Sequence, residues 1–111
     1  LTYNIHGLPW EPDHTVPIAR WSGTCGADVL CFQEAFTEAR RSTLQRILED
    51  HGYSVYIPND IIRTFLSSGL CIAVKSSSSW KIQSMQFIPF FEYAFWDSIA
   101  NKDSFQLYYK M

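Results

Sequence analysis

A mixed α/β (α+β) layered sheet is the fold class this chain predicts, on three observations. Strand-like, helix-like and strand-like segments follow one another through the first half. Hairpin-like strands dominate the second half, and the clearest helical stripe lies between residues 37 and 51. A helix set among strands is explained by layers of helix on sheet better than by an all-β barrel.

Composition supports one packed unit. The 111 residues suffice for a single ordinary domain, and 47% hydrophobic with 16% aromatic content excludes a wholly disordered chain. Nine basic and eleven acidic residues are scattered to a net charge of −2, so no basic tract points to nucleic acid by charge alone. No apolar run of about 18 residues predicts a membrane span, and no basic-then-apolar leader is visible. The pattern is already strand-like at Leu1, so a signal sequence or anchor upstream would lie outside this sequence. Secreted and membrane-peripheral locations both stay open, as does the oligomeric state.

The elements follow in order. Residues 1–6 alternate, with Leu1, Tyr3 and Ile5 on one face and Thr2, Asn4 and His6 on the other, which predicts a buried strand ended by Gly7 and Pro9. "EPDHTVP" reads as loop, and "IARW" as part of a short helix entered with Pro17 in its first turn. The apolar run Val29–Phe32 predicts a strand covered on both faces, with Glu34 at its end. Thr37 is placed to cap a helix running to about His51, because Leu44, Ile47, Leu48 and His51 follow the i, i+3, i+4, i+7 stripe and Gly52 supplies a stop.

"YSVYI" and "GLCIAV" read as strands, with "PNDIIRTFLSS" as the connection between them. "KSSSS" is a turn, and the alternation of "WKIQSMQF" predicts a strand forming a hairpin with the one before it. The aromatic run Phe87, Phe90, Phe91, Tyr93, Phe95 and Trp96 reads mainly as core, with a lipid-facing loop as the sharper alternative, and "SFQLYY" reads as a last strand. Cys25, Cys31 and Cys71 lack metal-ligand spacing. Cys31 and Cys71 sit in apolar runs and read as buried free thiols, with a disulfide from Cys25 left open.

Asn4 and Glu34 are the residues from which chemistry is expected. An amide buried without partners costs roughly 1–3 kcal/mol, so Asn4 requires hydrogen bonds or a metal. If the two strands are adjacent and parallel, Asn4 and Glu34 converge at their ends. One carboxylate and one amide are hard oxygen donors suited to Mg²⁺, which keeps waters for a phosphate substrate. On spacing alone a structural Asn4 and a solvated Glu34 stay open. His6 has the pKa range of a general base, but an exposed or supporting role suits it better, and His14 and His51 read as surface residues.

"LTYNIHGLP" followed by "ADVLCFQEAF" resembles the two opening motifs of the endonuclease/exonuclease/phosphatase superfamily, and "RRSTLQRIL", the "GY" turn and "SGLCIAVKS" follow in the order of that family. The resemblance implies a four-layered α/β sandwich with a mixed sheet, of which residues 1–111 are the N-terminal portion. It implies a metal-dependent phosphodiesterase in which Glu34 is a Mg²⁺ ligand and Asn4 belongs to the same catalytic site. "DSIANK" resembles the Asp-and-Lys segment of neutral and bacterial sphingomyelinases, which adds Asp97 and Lys102 as catalytic residues. That motif is normally followed by Gly, where this chain has Asp103, a departure that bears on substrate and not on superfamily.

The substrate then expected is a phosphodiester, sphingomyelin at a membrane surface, hydrolysed to ceramide and phosphocholine. A nuclease or inositol-phosphate phosphatase of the same superfamily, with nucleic acid the less favoured partner, and a non-catalytic interaction module are the alternatives. The Asp-x-Asn motif of the family and its terminal Asp-His pair are not found, so this piece is expected to be inactive alone.

Overall fold

The computed structural model describes residues 1–58, 69–89 and 103–110. Eight elements follow in chain order: β1 (Thr2–Asn4), α1 (Thr15–Thr24), β2 (Val29–Gln33), α2 (Glu38–Asp50), β3 (Tyr53–Tyr56), β4 (Cys71–Lys75), β5 (Lys81–Pro89) and β6 (Asp103–Lys110). The first sheet has the order β1-β2-β4-β3, with β1 and β2 parallel and the other two pairs antiparallel. The mixed α/β class expected from the sequence is the one observed.

Both helices share one core with one face of this sheet. Leu30 and Phe32 from β2, Cys71 and Ala73 from β4, and Tyr53 from β3 meet Ala19 of α1 and Leu44, Ile47 and Leu48 of α2. Thr37 caps α2 as its sequence predicts, its hydroxyl accepting the Arg40 N–H at 3.3 Å. Gly52 follows the helix at φ +85°, a conformation that costs glycine little. In α1, Pro17 does fall in the first turn, and the Asp13 carboxylate accepts the Thr15 N–H at 2.9 Å, serving the helix start from just outside it. Cys71 is buried, Cys31 half-buried and Cys25 exposed, and all three are free.

Three expectations are corrected. The opening strand is neither six residues long nor buried: β1 is a three-residue edge strand in which Tyr3 is exposed, as is Leu1 before it, and burial begins only at Ile5. The alternation of faces does hold, because Tyr3 lines a groove with Pro17, Ile18 and Trp21 of α1, and Ile5 joins the core beside Ile18 and Ala19 of the same helix. In β2 only Leu30 and Phe32 are fully buried, with Val29, Cys31 and Gln33 half-buried, so one face is closed more tightly than the other; β4 is the strand buried on both. Finally, β5 makes no hairpin with β4. It pairs with β6 in a separate antiparallel two-stranded sheet. Local alternation marks a strand but carries no information on its partner, which is decided by register over longer separations.

Candidate functional site

The parallel β1–β2 pair places Asn4 beside Gln33, one residue before Glu34, so the two predicted ligands lie at the same end of adjacent strands. Parallel pairing continues past both strands: the Ile5 N–H donates to the Gln33 carbonyl at 3.0 Å and the Gly7 N–H to the Glu34 carbonyl at 2.9 Å. Gln33 adds a side-chain link, its amide donating to the Thr2 hydroxyl at 2.8 Å.

At this point the backbone departs from extended geometry. His6 has φ 51° and Glu34 has φ 63°, the two non-glycine residues with positive φ among the described residues. Such a conformation costs of order 1–3 kcal/mol at a residue with a full side chain. The surroundings impose it on Glu34. A Cβ on Gly7 would lie 2.2 Å from the Glu34 carbonyl oxygen, and one on Gly69 would lie 2.9 Å from the Glu34 Cα. The Ala35 N–H also donates to the Gly69 carbonyl at 2.9 Å. Glu34 is therefore held between two close backbone approaches that only glycine permits.

Four side chains gather around the turn. Asn4 Oδ1 accepts the backbone N–H of His6 at 2.9 Å, an Asx-type bond that engages the oxygen of the half-buried amide and shapes the exit from β1. The His6 Nδ1 then stands 3.5 Å from a Glu34 carboxylate oxygen and 3.9 Å from one of Glu11. The Glu34 and Glu11 side chains are 23% and 28% exposed, against 69% for His6. Both acids are thus partly withdrawn from water at the rim of the sheet, with an imidazole open to solvent between them.

Sequence reasoning missed what holds this rim. The buried Arg40 guanidinium donates to the Glu11 carbonyl at 2.8 Å and to the His6 carbonyl at 3.5 Å, and pairs with Asp13 at 3.8 Å. Thr15 hydrogen bonds, with help from Arg40, hold the Asp13 carboxyl below its ordinary range. Arg41, also buried, donates to the Ala35 and Phe36 carbonyls at 3.2 and 2.7 Å, fixing the turn that follows Glu34. Two arginines in the first turns of a helix are themselves a signal, since the N-terminal dipole disfavours cations there. Their charge is compensated by carbonyls from outside the helix.

The donor set fits magnesium better than a softer metal. Among the described residues no group of three or more His, Cys, Asp or Glu side chains is arranged to hold an ion, so a closed protein cage is not offered. Magnesium takes one or two carboxylates and keeps several waters. Glu34 would supply the carboxylate of such a site, and Asn4 Oδ1 has a second acceptor position beyond the one His6 uses. Asp97 and Lys102 lie outside the described residues, as do Phe90 to Trp96 of the aromatic run.

No protein-family profile and no curated protein sequence matches the chain. Two solved structures are among those whose fold is similar to it. One is SmcL, with a TM-score of 0.72 and 15% identity over 99% of this chain. The other is sphingomyelinase C from Streptomyces griseocarneus, with a TM-score of 0.69 and 20% identity over 96% of this chain. The chain spans 42% of the length of each. At such low identity the likeness speaks for the arrangement of strands and helices, and it agrees with the opening motifs around Asn4 and Glu34. The chain has a sphingomyelinase-like fold of the endonuclease/exonuclease/phosphatase type.

Proposed function

We propose that this chain is the N-terminal portion of a Mg²⁺-dependent phosphodiesterase acting on sphingomyelin at a membrane surface. The observation that carries the proposal is the meeting of Asn4, His6 and Glu34 at one end of a parallel strand pair in a sphingomyelinase-like fold. Among the described residues no helix is long and apolar enough to cross a membrane. Trp10, 69% exposed on the loop that carries Glu11, is suited to the lipid interface.

In this reading Glu34 is the principal metal ligand and Asn4 its neutral companion. The metal supplies charge neutralisation at the phosphoryl oxygens. Asn4 holds the turn after β1 through the His6 N–H, and Glu34 presents its carboxylate from a backbone fixed on both sides. His6 lies beside both acids, where it sets the orientation of the Glu34 carboxylate. Asp97 and Lys102 are assigned to the phosphate end of the substrate by the resemblance of "DSIANK" alone. In-line displacement also needs an activated water and further groups on the transition state. These are assigned to residues beyond this chain, so the 111-residue piece is expected to turn over no sphingomyelin.

The test is a calorimetric Mg²⁺ titration of this chain and of its Glu34→Gln variant. Weak binding that the variant loses supports the site, and equal binding by both removes Glu34 from it. Turnover of sphingomyelin, abasic DNA and inositol phosphates by the complete protein, side by side, tests the substrate. A Lys102→Ala loss equal on all three counts against a lipid-specific role.

A further inference from the structure

A second polar cavity lies at the other end of the sheet. Glu34 follows the C-terminal end of β2, whereas the antiparallel register places Val29, at the opposite end, beside Val74 and hence Lys75 beyond it. At about 3.3 Å per residue the two ends are on the order of 15 Å apart. The cavity has a volume of about 130 Å³ and is lined by Ser54, Tyr56, Lys75, Ser76, Trp80 and Lys81, among others. It belongs to residues that the phosphodiesterase reading does not use.

Its chemistry is one-sided. Lys75 is half-buried and Lys81 exposed, and among the described residues neither ammonium has an ion-pair partner. Among the described residues the lining contains no carboxylate. The Ser54 and Ser76 hydroxyls stand 3.1 Å apart, so that one can donate to the other and the second proton is left to donate elsewhere. Two lysines of a chain with net charge −2 thus line this one cavity.

We infer that this cavity binds a phosphate-type oxyanion, held by Lys75 and Lys81 with hydroxyl donation from the Ser54–Ser76 pair. Two ammonium groups favour an occupant of net negative charge over a zwitterionic phosphocholine headgroup, whose trimethylammonium they repel. The same oxyanion chemistry is offered by free phosphate and by the phosphodiester of an anionic lipid. Trp80 and Tyr56, beside the lysines, are aromatic side chains of the kind favoured where a headgroup meets acyl chain.

The experiment is a nitrogen-15 NMR titration of the whole chain with inorganic phosphate, at ionic strength matched with sodium chloride. Saturable shifts confined to the amides around residues 54, 75, 76 and 81 are expected. The Lys75→Gln/Lys81→Gln double variant should bind about tenfold or more weakly, as expected for losing hydrogen bonds from charged donors. Lys81→Gln alone changes an exposed strand-end residue, so its fold is checked from the unperturbed part of the spectrum and its binding should still fall. Unchanged phosphate binding in a folded Lys81→Gln variant overturns the inference, as do shifts spread equally over Arg20 and Arg46. Co-sedimentation with vesicles of phosphatidylcholine, with and without phosphatidylglycerol, distinguishes the sources. Lysine-dependent binding only to vesicles containing phosphatidylglycerol assigns a lipid headgroup, and phosphate binding without vesicle binding assigns the free anion. Neither outcome depends on Mg²⁺ or on Glu34, so failure here is separable from failure of the phosphodiesterase reading.

Discussion

His6 Nδ1 lies 3.5 Å from Glu34 Oε2, and both residues hold positive φ angles on neighbouring strand exits. The contact joins two backbone conformations that each cost free energy, which links the shape of the site to strain. Replacing Glu34 by Gly removes the steric part of that cost. Glu34→Gly is therefore expected to leave stability unchanged or raise it by about 1 kcal/mol, while Mg²⁺ binding is lost. Urea denaturation with and without Mg²⁺ checks both halves, and a substantial loss of stability without metal would falsify the claim of strain.

Gly7 gives the opposite outcome. A methyl group there meets the Glu34 carbonyl oxygen at 2.2 Å, a backbone atom that cannot swing aside. Gly7→Ala should cost about 1–3 kcal/mol, in the range of an overpacked site, and should shift the Glu34 and Ala35 amide resonances. An unchanged spectrum at those two positions removes the close approach from the explanation.

Arg40 carries the loop from His6 to Asp13 on carbonyl bonds. Arg40→Met keeps most of the apolar stem but leaves the Glu11 carbonyl without its donor, for an expected loss of about 1–3 kcal/mol. Arg40→Lys should recover only part of it, since one ammonium cannot reproduce a fork that reaches two carbonyls and Asp13. Equal stability of the Lys variant and the parent would show that charge alone suffices.

Burial pushes the Cys71 thiol up to about 12. The folded chain therefore retains a proton that the unfolded chain releases near 9. The resulting stability is fully present below about pH 9 and lost as pH rises toward 12. Tyr53, raised first by burial and then by nearby Cys25 and Asp28, adds in the same direction at higher pH. Urea midpoints at about pH 8 and about pH 10.5 should fall, with a smaller fall in Cys71→Ala. Under native conditions an alkylating reagent should modify exposed Cys25 first and Cys71 only on unfolding.

Much of this is legible in the chain because the signals are local. Thr37, the Leu44–Ile47–Leu48 stripe and Gly52 locate α2 to within a residue, since cap, face and stop are all written within sixteen positions. Asn4 and Glu34 are legible as strand-end residues, and their strands are indeed adjacent and parallel. The partner of β5 is not legible, because Trp80 to Phe87 alternate equally well beside β4 or beside β6. Nor are the buried roles of Arg40 and Arg41, whose acceptors are carbonyls of other segments. The positive φ at Glu34 arises from Gly7 and Gly69, one 27 residues before it and the other 35 after. No short window contains that constraint.

The position of β1 at the edge of the sheet gives the two proposed ligands unequal footing. Glu34 continues a strand paired on both sides, whereas Asn4 ends a three-residue strand bonded, among the described residues, along one side only. Amide protons that tie β1 to β2, those of Ile5, Gly7 and Cys31, should exchange through fraying of this edge well before the amides of β4. An ion bridging Asn4 and Glu34 would fasten the frayed edge to the interior, so its concentration would set how long β1 stays closed without altering the lifetime of the rest. Exchange at Ile5 and Gly7 would then act as a gauge of occupancy that needs no turnover to be read.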